Sequence, residues 1–459
     1  MKKVVNDNMF QGIEVGKSSL KLSHLQFADD SIFFCEATKQ NVMVPKSVLR
    51  CFELVSGLKV NFFKSSLIGL NVEKNDMEIF ANKLNCAIGQ TPFKYLGVLV
   101  GSNPKRLSTW TPMIDTMRKR LSNWKRDTLS FGGRIILLNS VFSSIPVYYF
   151  STLKAPKQVI LSLTKIQRNF FGAGGSEGSR KMAWVKWENI CKRKIEGGLG
   201  VRELQKFNIA LLGRWRWRLL EEKVALWKQI LEVKYRMDRR KAWEGSKWEG
   251  SCSTWWRNLW ELDSVMGVKE GWFQERVVKK IDEGKDMLFW HEKWVGDKPL
   301  KEKFNRLFSL SREKDACIAD MGQWNNGEWM WTWRWTRNLF VWEINLLQEL
   351  CSMLEGIKLT QGEDDNWIWK HNSKGRYTVK SAYNIINQNQ ESRQDAQYKL
   401  IWDNKLPLKI SAFAWKALQN RILTKDNLLK RGLMKRIQEQ NASYVESRPK
   451  LQCTSSFHV

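Results

Sequence analysis

Leu25-Gln26-Phe27-Ala28-Asp29-Asp30-Ser31-Ile32-Phe33-Phe34 is an apolar arm, a polar tip and a second apolar arm. That alternation predicts a β-hairpin over residues 20–35, with Leu20 and Leu22 extending the first arm and Ala28-Asp29-Asp30-Ser31 at the turn. Downstream, Val44, Val48, Leu49, Phe52 and Val55 recur at three- and four-residue spacing and Gly57 supplies a stop, so Lys39 to Ser56 is a helix. Lys59 to Leu70 reads as β-like, Glu73 to Cys86 as helical and Phe93 to Val100 as a further strand. Strands interleaved with helices predict an α+β half-domain.

From Trp110 to Gly172 three helical patterns follow, broken at Phe131-Gly132-Gly133 and at Ala155-Pro156. The first carries Arg118, Lys119, Arg120, Lys125 and Arg126. Gly172 to Ser179 is a Gly/Ser stretch expected to act as a link. Of 25 tryptophans, 23 lie from Trp184 onward, so the chain changes character near residue 180. Beyond that point the pattern is mostly helical, with a short hairpin expected between Trp367-Ile368-Trp369 and Arg376-Tyr377-Thr378-Val379, then a helical pair from Ala412 to Leu429. The run Trp329, Trp331, Trp333, Trp335 has period two and fits one face of a strand.

Composition narrows the function. The 459 residues hold 76 Lys and Arg against 47 Asp and Glu, a formal charge of +29 that favours polyanionic partners, nucleic acid first. No 18-residue apolar run and no basic amphipathic anchor are found, so no membrane partner is expected. The start, Met1-Lys2-Lys3-Val4-Val5-Asn6-Asp7, lacks the apolar core of a secretory signal, and the eight cysteines contain no Cys-x-x-Cys pair. Secretion is not expected, and the basic clusters, which suit nuclear import and RNA alike, do not distinguish a nuclear from a cytoplasmic setting. Basic segments Arg118 to Arg126, Lys186 to Lys194 and Lys234 to Lys241 each contain or adjoin tryptophan, a combination suited to a strand or heteroduplex. For any one tryptophan, burial among helices is the commoner role.

Asp29 and Asp30 carry the chemistry. Phosphoryl transfer to a growing strand uses two divalent metals about 4 Å apart, held by carboxylates on a rigid turn. An Asp pair in a hairpin turn is also ordinary turn chemistry.

The motif Leu25 to Phe34, with Phe52-Glu53-Leu54-Val55-Ser56-Gly57-Leu58-Lys59-Val60-Asn61 and Lys64-Ser65-Ser66, resembles the reverse transcriptase of plant non-LTR (LINE-type) retrotransposons. Phe93-Lys94-Tyr95-Leu96-Gly97 resembles that family's primer grip. Leu121-Ser122-Asn123-Trp124-Lys125 with Leu129-Ser130-Phe131-Gly132-Gly133-Arg134 resembles its thumb. Gly197-Gly198-Leu199-Gly200, Ala210 to Arg218, and Phe289-Trp290 with Trp294 match the connector that follows. Tyr377 to Tyr383, Leu406-Pro407-Leu408-Lys409 and Phe413-Ala414-Trp415-Lys416 resemble its C-terminal zinc-binding module.

The resemblance implies an α+β, helix-rich chain: a partial polymerase palm over 1–104, a helical thumb over 105–175 and a Trp-rich connector over 176–360. A zinc-module-like segment over 361–436 and a disordered or frameshifted tail over 437–459 would complete it. In the family Asp29 would hold catalytic magnesium, Asp30 would support it and Lys64 would lie near the incoming triphosphate, the alternative being a solvated strand-end lysine. Lys94, Tyr95, Arg118, Lys119, Arg120, Lys125, Arg126 and Arg134 would contact RNA and DNA. Only 28 residues precede Asp29, too few for the fingers and the earlier palm aspartate, so no polymerase activity is expected of this chain alone. An N-terminal palm and fingers fragment supplied in trans would be required. The family's module closes with Cys-x-x-Cys, His and Cys, whereas the tail here offers only Cys453 and His458, so no zinc is expected. Read two bases forward, the codons for residues 441–446 can encode Cys-x-x-Cys-Gly, so a frameshift or altered splice near residues 434 to 441 is the hypothesis, which the nucleotide sequence tests.

Overall fold

The structure, a computed structural model, describes residues 1–430 apart from 17–19, 123–128, 173–184, 236–250, 363–364, 389–395, 403–405 and positions 266, 286, 297, 326, 358, 361 and 423. The link expected from Gly172 onward and the tail from 437 therefore lie outside the described residues, Gly172 excepted. The chain is mixed α and β, rich in helix, with its strands in two-stranded pieces. Packing divides it into two units, both discontinuous in sequence. One comprises Met1–Thr109, Tyr149–Pro156 and Gln205–Asn387; the other comprises Trp110–Tyr148, Lys157–Leu204 and Gln388–Val459.

In the first unit, His24–Phe27 pairs antiparallel with Asp30–Phe33, Phe27 opposite Asp30, so the turn is the two residues Ala28 and Asp29. Leu20 and Leu22 do not extend this hairpin. They sit in a separate strand, Leu20–Leu22, whose partner Ile13–Val15 comes from upstream. The helix Lys39–Ser56 has the expected bounds because both ends are capped. The Thr38 hydroxyl accepts the Asn41 N–H, and Gly57 takes the left-handed conformation (φ 72) that an L side chain resists.

Lys59 to Leu70 is not a strand. Only Ser66–Leu67 pairs, parallel to Ala87–Ile88, while the Asn61 side chain accepts the Lys64 N–H and closes a turn. Phe93 to Val100 is a hairpin, Phe93–Tyr95 with Val98–Val100, turning through Leu96 and Gly97 at φ 48 and 86. Two positive φ values define the turn whose twist matches that of the flanking strands. This part of the unit packs thinly: Leu54, Val55 and Phe63 are 87%, 89% and 88% exposed.

The same unit has a dense aromatic core. The helix Leu204–Glu221 buries Ile209, Ala210, Leu212, Trp217 and Leu219 against Trp256, Trp272, Phe273, Trp369 and Tyr377. Gly213 permits the closest approach, since a Cβ there would stand 2.6 Å from the Tyr377 hydroxyl. That hydroxyl donates to the Ala210 carbonyl at 2.6 Å. No hairpin joins Trp367 to Val379. Asn366–Trp369 pairs instead with Val277–Lys280, a distant partner, and Thr378 caps the helix Val379–Ile386. A second apolar cluster gathers Phe289, Trp290, Leu307, Ile318, Leu350 and Leu354. The period-two tryptophans flank it. Trp329 and Trp331 lie in the strand Glu328–Trp331, and Trp331, Trp333 and Trp335 stack in sequence with 14° between successive planes.

The second unit is helical: Thr111–Ser122, Phe131–Leu137, Lys157–Gly172, Trp187–Cys191, Ala396–Ile401, Leu408–Leu418 and Lys425–Lys430. Phe131-Gly132-Gly133 starts a helix rather than breaking one, because the Ser130 hydroxyl accepts the Gly133 N–H at 3.1 Å. Gly132 also lets Leu408 approach, with a Cβ there 3.2 Å from Leu408 Cγ.

Candidate nucleic-acid interface

Asp29 and Asp30 are both exposed. Asp29 is the second turn residue and Asp30 the first residue of the returning strand. Among the described residues no three His, Cys, Asp or Glu side chains group as metal ligands. Two adjacent exposed acids do not fit a two-metal magnesium centre, which needs several carboxylates converging from a rigid frame. Lys64 lies in the exposed Asn61 turn, not at a strand end. Lys94 is exposed and Tyr95 half-buried in their hairpin. That hairpin is tied down by the Tyr149 hydroxyl, which donates to the Gly97 carbonyl at 3.0 Å.

The charge is unevenly placed. Residues 110–148, 157–204 and 388–459 contain 29 Lys and Arg against 12 Asp and Glu, leaving +17 of the total +29 in about a third of the chain. Residues 281–387, by contrast, hold 15 Lys and Arg against 16 Asp and Glu. An electrostatic contact with a polyanion therefore concentrates on the helical unit.

Within that unit Arg118, Lys119 and Arg120 are exposed on the helix Thr111–Ser122, with Arg118 paired to Asp115 at 3.1 Å. Lys125 and Arg126 lie outside the described residues. Arg134 is half-buried on Phe131–Leu137. Sequence reasoning gave no charge role to Lys416, although it ends the quoted motif Phe413-Ala414-Trp415-Lys416. Its ammonium sits 3.7 Å from the centre of the Phe131 ring. Burial first, and the Arg134 guanidinium second, hold the Lys416 pKa below its usual range. Lys194 covers the Trp402 ring at 4.8 Å and Arg168 the Trp187 ring at 6.0 Å.

Among the described residues, Trp187, Trp215 and Trp227 beside basic residues are occupied. Trp187 is buried edge-on against Phe171, and Trp215 and Trp227 flank Arg218, which also pairs with Glu222 at 2.6 Å. These rings pack and hold guanidinium groups. No described helix is long and apolar enough to cross a membrane.

The model of the zinc-binding family found in reverse transcriptases matches residues 377–446. The matched segment contains no Cys or His; Cys453 and His458 lie beyond it and outside the described residues. The segment thus does not fit the thiolate and imidazole ligation of a structural zinc site. A putative ribonuclease H protein of Arabidopsis thaliana is 29% identical over 331 residues, 71% of this chain. The chain spans half the length of that relative. An uncharacterized mitochondrial protein of the same plant is 28% identical over 155 residues, 34% of this chain and 94% of the relative. The module match and these plant relatives support a chain related to plant retrotransposon reverse transcriptases.

Proposed function

We propose that the chain is a portion of a retrotransposon RNA-directed DNA polymerase that binds RNA or DNA through its basic helical unit and does not extend a primer by itself. The observation that carries the binding is the +17 gathered in residues 110–148, 157–204 and 388–459 beside a balanced 281–387 segment. The absence of catalysis is supported by the donor set at the Ala28-Asp29-Asp30 turn, where the described residues bring no third carboxylate. Positioning supplies most of phosphoryl-transfer catalysis, and two exposed acids on a two-stranded ribbon do not supply it.

Two assays on the full chain test the reading. Affinity for a mixed-sequence RNA should fall linearly with salt on logarithmic axes, and an affinity indifferent to ionic strength would remove the nucleic-acid role. Primer extension with magnesium on an RNA template should yield no product. A second reading, completion in trans by a palm and fingers fragment, is favoured by the exposed Leu54, Val55 and Phe63 beside two-stranded ribbons with open edges. Extension activity appearing only on co-expression with such a fragment would establish it. Failure to co-purify would end it.

A further inference from the structure

We infer that the outward face of the helix Leu408–Leu418 is a site for single-stranded RNA or DNA, on which the Phe413 ring stacks against a base while Lys409 meets a phosphate. The inference rests on the nucleic-acid reading above and names the strand form that this unit takes. Ser411, Ala412 and Trp415 are buried and fix the inward side of the helix. The helical period then turns Ile410, Phe413 and Ala417 outward in one stripe, and all three are exposed, Phe413 by 61%. The exposed Lys409 lies one turn before Phe413, on the flank of that stripe. Lys416 continues the flank about 10 Å further along the axis, held on the Phe131 ring.

Charge and ring chemistry choose the occupant. The helix Leu408–Leu418 carries no Asp or Glu, and it stands in the unit that holds +17. A second copy of the chain would bring the same cations against this face, so like charge disfavours self-association. Of the described Phe and Trp rings of the basic unit, Phe413 alone is exposed. A single strand supplies a π-face for that ring and phosphates for the lysine flank. A duplex keeps its bases stacked inside and offers phosphate alone, so this face favours the single strand.

The test uses the full chain with a mixed-sequence single-stranded RNA and the duplex of the same sequence, each across a salt series. Phe413→Ala should lower single-strand affinity roughly tenfold and leave the logarithmic salt slope and the duplex affinity unchanged, since a stack is lost and no phosphate contact is. Phe413→Leu, apolar but without a ring, should lose as much, and Phe413→Trp should keep the wild-type affinity. Lys409→Gln should flatten the single-strand slope by about 0.7, the contribution of one phosphate. Wild-type affinity in Phe413→Ala or Phe413→Leu overturns the stacking site while leaving salt-dependent binding intact. A flat wild-type salt series overturns the site together with the reading beneath it. A wild-type dimer in sedimentation that Phe413→Ala dissolves, with RNA affinity unmoved, gives the face to a second copy and overturns the inference. Should Phe413→Ala fold poorly, ultraviolet cross-linking of the wild-type chain to a uridine-rich single strand decides: adducts should map to residues 408–418, and their absence there contradicts the site.

Discussion

The indole Nε1 of Trp415 donates a hydrogen bond to the Gly197 carbonyl at 2.8 Å, across 218 positions of sequence. Gln419 Nε2 donates to the same oxygen at 3.1 Å and to the Tyr398 hydroxyl at 2.8 Å. Gly197 takes φ 82, and a Cβ there would stand 2.8 Å from the Tyr398 ring. The Gly197-Gly198-Leu199-Gly200 loop is thus the seat of the helix Leu408–Leu418, which lies inside the matched segment and within the basic unit.

Substitutions at this seat should differ in cost. Trp415→Phe removes one donor but leaves Gln419 on the carbonyl, so about 1 kcal/mol is expected. Gly197→Ala meets both an unfavourable φ and the Tyr398 ring, so a loss of about 2 kcal/mol or more is expected. Urea unfolding followed by circular dichroism measures both, and equal effects would contradict this ordering.

Metal should be irrelevant to that packing. The matched residues 377–446 contain no Cys or His, and the helix Leu408–Leu418 within them is held by the Trp415 and Gln419 contacts. Addition of EDTA, or of zinc, should leave the thermal midpoint of the chain unchanged; a drop of several degrees on chelation would show a ligand set elsewhere in the chain.

Ala28 occupies the left-handed region, φ 51, at the first position of the two-residue Asp turn, where glycine is usual. Ala28→Gly relieves a steric cost of about 1 kcal/mol, partly offset by greater freedom in the unfolded chain. A small gain in the unfolding midpoint is expected, and a loss would mean that the turn is held by something other than its backbone.

Glu343 gives the cluster around Phe289 and Leu350 its acid sensitivity. Its fully buried carboxylate accepts from Arg337 at 2.7 and 2.9 Å, from Arg306 Nε at 2.9 Å and from the Phe340 N–H at 2.9 Å. The Arg337 guanidinium above all pulls its pKa from 4.5 down to about 2. A depressed folded-state pKa means stability that is complete above pH 4.5 and is lost as pH falls toward 2. Tryptophan fluorescence should report a loss of packing in that window. Glu343→Gln should destabilise the chain at neutral pH and flatten the acid limb.

Local chemistry was legible in the sequence where both ends of an element announce themselves. Thr38 and Gly57 gave the helix Lys39–Ser56 its bounds. The hairpin at Phe93 to Val100 was hidden because Leu96 stands where Asn or Asp usually marks such a turn. Sequence proximity pairs Trp367 with residues 376–379, whereas its strand pairs with Val277–Lys280, a choice made by the aromatic core rather than by the turn. The total charge was readable, but its location was not. The basic unit is assembled from three segments, and Lys416 meets Phe131 only after 284 intervening residues have folded elsewhere or around them. The Asp29-Asp30 tip was readable as a turn, yet which acids converge on it is a question of tertiary placement.

Hydrogen–deuterium exchange of the full chain with and without a mixed-sequence RNA measures most directly where a polyanion binds. Protection confined to residues 110–148, 157–204 and 388–430, with 281–387 unchanged, is the expected result. Protection centred on 281–387, or none under conditions of saturating RNA, contradicts a nucleic-acid interface built on the basic helical unit.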